Sequence, residues 1–128
     1  MRILALDAGE ARCGCAVCDP TESVVTPIDA VSRPDTKRGL DTLARLVRER
    51  LIEQVVVGLP LTMRGEEGEQ ARWTRRFAER LAERVDVPVV MHDERLTTRQ
   101  AERSGGTAEA DSRAAAHLLE AFLLARPG

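Results

Sequence analysis

Residues 1–20 read MRILALDAGEARCGCAVCDP, and the rest of the chain can be arranged around them. Ile3, Leu4, Ala5 and Leu6 form an apolar run that ends on Asp7, the length and character of a strand buried on both faces. Gly9 then serves as the pivot of a tight reversal. Cys13 to Cys18 follow as a second strand, closed by the turn pair Asp19-Pro20. The product is a hairpin with a carboxylate at the mouth of its first strand. A charged acid beside a core strand is costly unless something pairs with it. A metal ion, a phosphate-bound metal and the turn amides near Gly9 all remain open as that partner.

The chain has 128 residues, enough for one domain (1–128) with a real core and too few for two. No apolar run is long enough to span a membrane, and no charged-then-apolar leader precedes the first strand, so a soluble cytoplasmic protein is expected. The net charge of −2 neither advertises nucleic-acid binding nor excludes a local basic groove. Of 19 basic residues only Lys37 is a lysine; arginine, the better fork for phosphate oxygens, supplies the rest. With one Trp, two Phe and no Tyr, an extended base-stacking platform is not expected. Cys13, Cys15 and Cys18 lack a fourth ligand at zinc spacing and are read as small buried hydrophobes, the first two on one strand face and the third on the other.

Ser23 to Val31, rich in Val, Thr and Ile, reads as an edge strand that tolerates Pro27. Asp35 or Thr36 is positioned to cap a helix to about Leu51 whose apolar stripe is Leu40, Leu43, Ala44, Leu46 and Val47. Gln54 to Gly58 is a short buried strand and Thr62 to Gly68 a loop. A helix from about Glu66 to Arg84 carries Trp73, Phe77 and Leu81 inward and Arg72, Arg76 and Arg80 outward, either a solvated face or a phosphate rail. Val87 to Met91 is a further strand, running into His92-Asp93-Glu94-Arg95. A helix near Thr97 to Arg103 and a last one from about Ala110 to Arg126 complete the chain. Three strands, a helix, a strand, a helix, a strand and two helices imply a mixed α/β sheet with helices on its faces.

Glu94, like Asp7, falls near the C-terminal end of a buried strand, and right-handed crossovers make those two strands parallel, possible neighbours about 5 Å apart. Asp111 lies on the same arc of the last helix as Ala115 and Leu118, at the end where the helix dipole favours negative charge; a plain N-cap is the competing role. Asp93 is an alternative ligand to Glu94, on the opposite face if the strand extends that far. Oxygen ligands without imidazole or thiolate suit Mg²⁺ or Mn²⁺, and such ions between carboxylates hydrolyse phosphodiesters. Gly9, Arg12, Gly14 and Arg95 stand beside the acids where a backbone phosphate would approach; a turn-capping surface role for Arg12 is equally open.

Three blocks together, DAGEARCGCAVCDP (7–20), VVVGLPLTMRGEEGEQA (55–71) and DERLTTRQAE (93–102) followed by DSRAAAHLL (111–119), resemble the YqgF/RuvX family over essentially the whole chain. That resemblance implies a ribonuclease-H-like fold, a five-stranded mixed sheet flanked by helices on both faces. It also implies a nuclease that processes the 5′ end of pre-16S rRNA or resolves Holliday junctions, with its catalytic acids at Asp7, Glu94 and Asp111; a symmetric junction cut would want a homodimer and RNA trimming a monomer. The chain departs from the family pattern at Glu10 and Ala11, at Thr62, and in the short Ser104–Ala110 segment carrying Glu109. Two other classes compete. One is a non-catalytic nucleic-acid or ribosome-assembly module. The other is an ATP-using enzyme, since the Asp-x-Gly hairpin also resembles sugar-kinase and actin-like proteins, which need a second domain that this length does not hold.

Overall fold

The structure, a computed structural model, describes residues 1–95 and 106–126; the helix expected near 97–103 and the side chain of Arg95 lie outside the described part. The elements are β1 (Ile3–Ala8), β2 (Arg12–Cys18), β3 (Val25–Ser32), α1 (Lys37–Glu49), β4 (Gln54–Leu61), α2 (Glu69–Ala82), β5 (Val89–Arg95) and α3 (Ala108–Ala125). The five strands form one sheet in the order β3-β2-β1-β4-β5. β1–β2 and β2–β3 are antiparallel, while β1–β4 and β4–β5 are parallel, so the sheet is mixed.

Alternation along the strands divides the core into two layers. Leu4, Leu6, Cys13, Cys15, Val55 and Val57 pack against Leu40, Leu43 and Val47 of α1 and Phe77 and Leu81 of α2. On the other face Ile3, Ala5, Cys18 and Val56 meet Leu118 and Leu119 of α3, and Ala16 meets Ala115 and Ala116. The expected division of the cysteines holds: Cys13 and Cys15 lie in the first layer and Cys18 in the second, all buried thiols. β3 is an edge strand, as expected, and Pro27 pairs with Ala16 there. Thr36 is the cap of α1, its Oγ1 accepting from Gly39 N–H at 3.1 Å.

Several boundaries differ from the sequence reading, each for a local reason. β4 extends past Gly58 through Pro60 because β5 pairs with it as far as Leu61–Arg95, while β1 leaves it at Val57, and a strand with one open edge accepts proline. β5 correspondingly runs through Glu94 rather than stopping before it. α2 begins at Glu69, since Thr62–Gly68 folds into its own turn: Gly65 donates to Thr62 O at 2.8 Å, Thr62 donates to Glu66 O at 2.9 Å, and Gly65 takes φ 79°. α3 begins at Ala108, capped by Thr107 Oγ1 accepting from Ala110 N–H at 3.1 Å. Gly9 turns without a left-handed backbone, its N–H closing the hairpin on Arg12 O at 2.9 Å. Among the described residues no helix is long and apolar enough to cross a membrane.

Candidate active site

Asp7 points to the α3 face. It alternates in phase with Ile3 and Ala5, which pack on that helix, and it stands opposite Gly14 in the hairpin. β1 and β5 are not adjacent: β4 lies between them, which corrects the expected neighbouring strands. Two strand spacings separate Asp7 from β5 by about 10 Å, and a side chain on the intervening β4 would stand between the two carboxylates. Gly58 removes that obstacle. It follows Val57, the partner of Leu6, and so stands level with Asp7. A Cβ on Gly58 would come within 2.8 Å of Glu94 Oε2 and 3.1 Å of Leu118 Cδ2. The Glu94 carboxylate thus reaches back over the bare backbone of β4, toward Asp7.

Gly14 plays the mirror part on the other side of Asp7. A Cβ there would stand 2.0 Å from the Asp111 carbonyl oxygen and 2.8 Å from Ser112 N, so α3 begins in direct backbone contact with β2. The role foreseen for Gly14, admitting a phosphate, is replaced by admitting a helix. The β2–β3 register slips between Cys13 and Cys15, and Cys15 N–H donates to Ser112 Oγ at 3.2 Å. Ser112 is buried, so this bond both satisfies its hydroxyl and pins the first turn of α3.

Asp111 is in that first turn, not at the N-cap, which is Thr107. Its Oδ2 accepts from Arg12 Nε at 2.8 Å, and the same guanidinium donates to the Gly106 carbonyl. Arg12 therefore ties the start of β2 to the start of α3 rather than capping a turn. The buried Cys13 thiol is pushed well up, first by its neighbour Cys15, then by burial, and further by the negative charges of Cys15, Asp7 and Asp111.

The three acids thus share one face and one end of the sheet, yet among the described residues no three Asp, Glu, His or Cys side chains converge on a point that could hold an ion. Asp93 pairs with Leu59, one residue out of phase with Glu94, so it faces the opposite side and is excluded as the alternative ligand. Arg72, Arg76 and Arg80 are exposed along α2, on the face away from α3. Gly58 and Ser112 were not singled out from sequence. The only signal for Gly58 was a glycine closing an otherwise β-branched strand, which usually marks a close approach.

Order 3-2-1-4-5, a leading antiparallel hairpin and acids on one face define a ribonuclease-H-like protein. Solved structures agree on the fold. Thermus thermophilus RuvC superposes at TM-score 0.59 with 15% identity, covering 96% of each chain, and the Fowlpox virus resolvase bound to Holliday junction DNA at TM-score 0.53, also with 15% identity, covering 96% of this chain and 99% of that one. The chain belongs to the RuvX family, described as Holliday junction resolvase, whose model matches residues 1–125. Among relatives, a Chloroflexus aurantiacus protein named "Putative pre-16S rRNA nuclease" is 46% identical over 101 residues, 79% of this chain and 66% of that protein. A Roseiflexus sp. protein of the same name is 40% identical over 102 residues, 80% of this chain and 72% of its own. This chain therefore spans about two thirds of the length of such relatives.

Proposed function

We propose that this chain is a metal-dependent nuclease of the cytoplasm that hydrolyses phosphodiesters in structured nucleic acid: the 5′ end of pre-16S rRNA, branched DNA of the Holliday type, or both. The reading is supported by the two bare positions level with Asp7: Gly14, against which the Asp111 backbone lies, and Gly58, beside which the Glu94 carboxylate lies. The donor set is all oxygen, which fits Mg²⁺ or Mn²⁺. Asp7, Glu94 and Asp111 are the residues to hold the ion or ions. A bound divalent ion would supply an activated water and a charge for the leaving oxygen.

The chain's own residues have distinct parts. Asp7 would be a ligand held in place by a core strand. Glu94 swings on a side chain over Gly58. Asp111, now bonded to Arg12, would be a ligand to the ion, and Arg12 would then be available to a substrate phosphate. Gly9 and Arg95 lie at the same end of the sheet and complete the proposed substrate contacts. A dimer is needed only if a junction is cut symmetrically; a monomer suffices for trimming RNA.

The test is cleavage of a pre-16S leader and of a four-way junction with Mg²⁺ or Mn²⁺, with and without chelator. Asp7→Asn is expected to lower the rate by about 10²-fold or more, the scale of removing one preorganised electrostatic contact. Full activity in that variant, or in chelator, ends the reading. A second reading, a binding module that cleaves nothing, draws support from the Arg12–Asp111 pair, which compensates one acid without any ion. It predicts that wild type and Asp7→Asn bind the same RNA equally and that neither cuts it.

A further inference from the structure

We propose that the cavity between the β1–β2 turn and α2 is a nucleobase subsite in which Trp73 is the stacking ring. The proposal rests on the nuclease reading only for its source of bases. The cavity, about 550 Å³, is lined by Glu10, Ala11, Arg33, Asp35, Thr36 and Trp73. That volume is in the range of small-ligand sites. Glu10 and Ala11 follow Asp7 in the hairpin, and Trp73 is in the first half of the helix that follows β4. The cavity therefore opens at the same end of the sheet as the acids, on the other side of the turn. A strand draped over that turn reaches both.

The chemistry of the lining suits a base better than a phosphate. Trp73 is half-buried and stacks on Phe77 with centroids 5.7 Å apart and planes 7° apart. That stack fixes the Trp73 ring where it lines the cavity. Arg33 offers a second planar group, and the carboxylates of Glu10 and Asp35 can accept from the amino and imino groups of a base edge while disfavouring a phosphate. One Trp does not make a platform for many bases, but one ring in a cavity can hold one base.

The wall is held in place before any ligand arrives. Arg33 N–H donates to Ala11 O at 2.9 Å, and Arg33 O accepts from Thr36 N–H at 3.2 Å and from Thr36 Oγ1 at 2.7 Å. Gly39 of α1 leaves room for the Arg33 carbonyl, 2.2 Å from where a Cβ would stand. Arg33 itself takes φ 43°, a left-handed backbone uncommon for a side-chain-bearing residue. Hydrogen bonds on both sides of Arg33 maintain that geometry.

Because Trp73 is the only Trp and there is no Tyr, its emission reports the cavity directly. The experiment titrates the Asp7→Asn chain with a labelled single-stranded RNA, following label anisotropy and indole emission together. Parallel titrations use the same RNA with an abasic residue moved along it, and the four nucleoside monophosphates. Emission is expected to fall as the RNA saturates, and an abasic residue at one position should restore it and weaken binding about tenfold. Monophosphates should quench only at far higher concentration. Unchanged emission at saturation, indifference to every abasic position, or monophosphates binding as tightly as the RNA overturns the proposal. In cleavage, Trp73→Phe should stay near wild type and Trp73→Leu should raise KM about tenfold with kcat kept. If Trp73→Leu does not fold, the exposed Arg33→Ala takes its place with a KM increase of several-fold; an unaltered KM there also overturns the subsite. A wild type that quenches with this base dependence but cuts nothing loses the nuclease reading and keeps the subsite, and the converse result separates them the other way.

Discussion

The two faces of the sheet are built from different materials. Against α1 and α2 the strands present Leu4, Leu6, Val55 and Val57, met by Leu40, Leu43, Phe77 and Leu81. Against α3 they present Ile3 and Val56 at one end and Ala5, Gly14, Ala16 and Gly58 beside them, met by Ala115, Ala116, Leu118 and Leu119. Large side chains bury more apolar area per residue, at about 25 cal/mol per Å², so the first face carries more of the stability. Small ones let backbones approach, so the second face sets distances. The acids project from the second. The proposed site would gain from a close helix, and α3 comes nearest to the sheet at Gly14.

The sharpest way to break this contrast is Gly14→Val. Its Cβ would overlap the Asp111 backbone, which no rotamer change relieves, since the nearest atom stands at 2.0 Å. We expect α3 to be displaced, cleavage to vanish and stability to fall by several kcal/mol, about the upper range for overpacking; a near-wild-type urea midpoint would show that the helix contact is not tight. Phe77→Ala attacks the other face. It should cost about 3–5 kcal/mol in denaturant unfolding while the folded fraction retains kcat, because none of the three candidate acids faces that layer.

Gly58→Ala separates the two properties most cleanly. Here the nearest atom is the movable end of Glu94, 2.8 Å from the new methyl, so the fold should survive with a loss of about 1 kcal/mol or less. Shifting that carboxylate by about 1 Å should nonetheless lower kcat by about 10²-fold. Equal activity in this variant would detach Glu94 from the chemistry.

The smallest effect belongs to neither face. Asp19, at the β2–β3 turn, accepts from Ser23 and Val24 N–H at 2.8 Å each and from the Thr21 hydroxyl. These bonds, the Thr21 one foremost, hold its carboxyl down at about 2, below the ordinary 3.8. A depressed folded-state value means the stabilisation is full above 3.8 and is lost as pH falls toward about 2. The urea midpoints of wild type and Asp19→Ala should differ slightly at neutral pH and converge over that window. A gap that persists at pH 2 would assign the loss to packing.

Much of this was legible in residue order. The hairpin, the edge position of the Pro27 strand, the Thr36 cap and the stripe on α3 are local matters, governed by alternation, turn chemistry and helical period, which act over a few residues. The three acids stood out for the same reason, each a charge at the end of an apolar element. What sequence could not yield was the order of strands. Reading β1 and β5 as possible neighbours is natural when only their parallel sense is known, yet β4 lies between them. That placement follows from which strand edges remain open once the hairpin has formed: β2 already covers one edge of β1, and β4 takes the other.

The sequence by itself thus determined the elements, their polarity and the identity of the candidate acids, because each depends on chemistry within reach of its own turn of chain. Only the tertiary structure decided that Gly14 and Gly58 are the clearances, that Arg12 sits on Asp111, and that Glu94 must lean across a strand. Those facts depend on which backbones meet, and residues 14 and 111, or 58 and 94, meet only after the sheet has closed its long loops and the helix has settled on its smallest side chains.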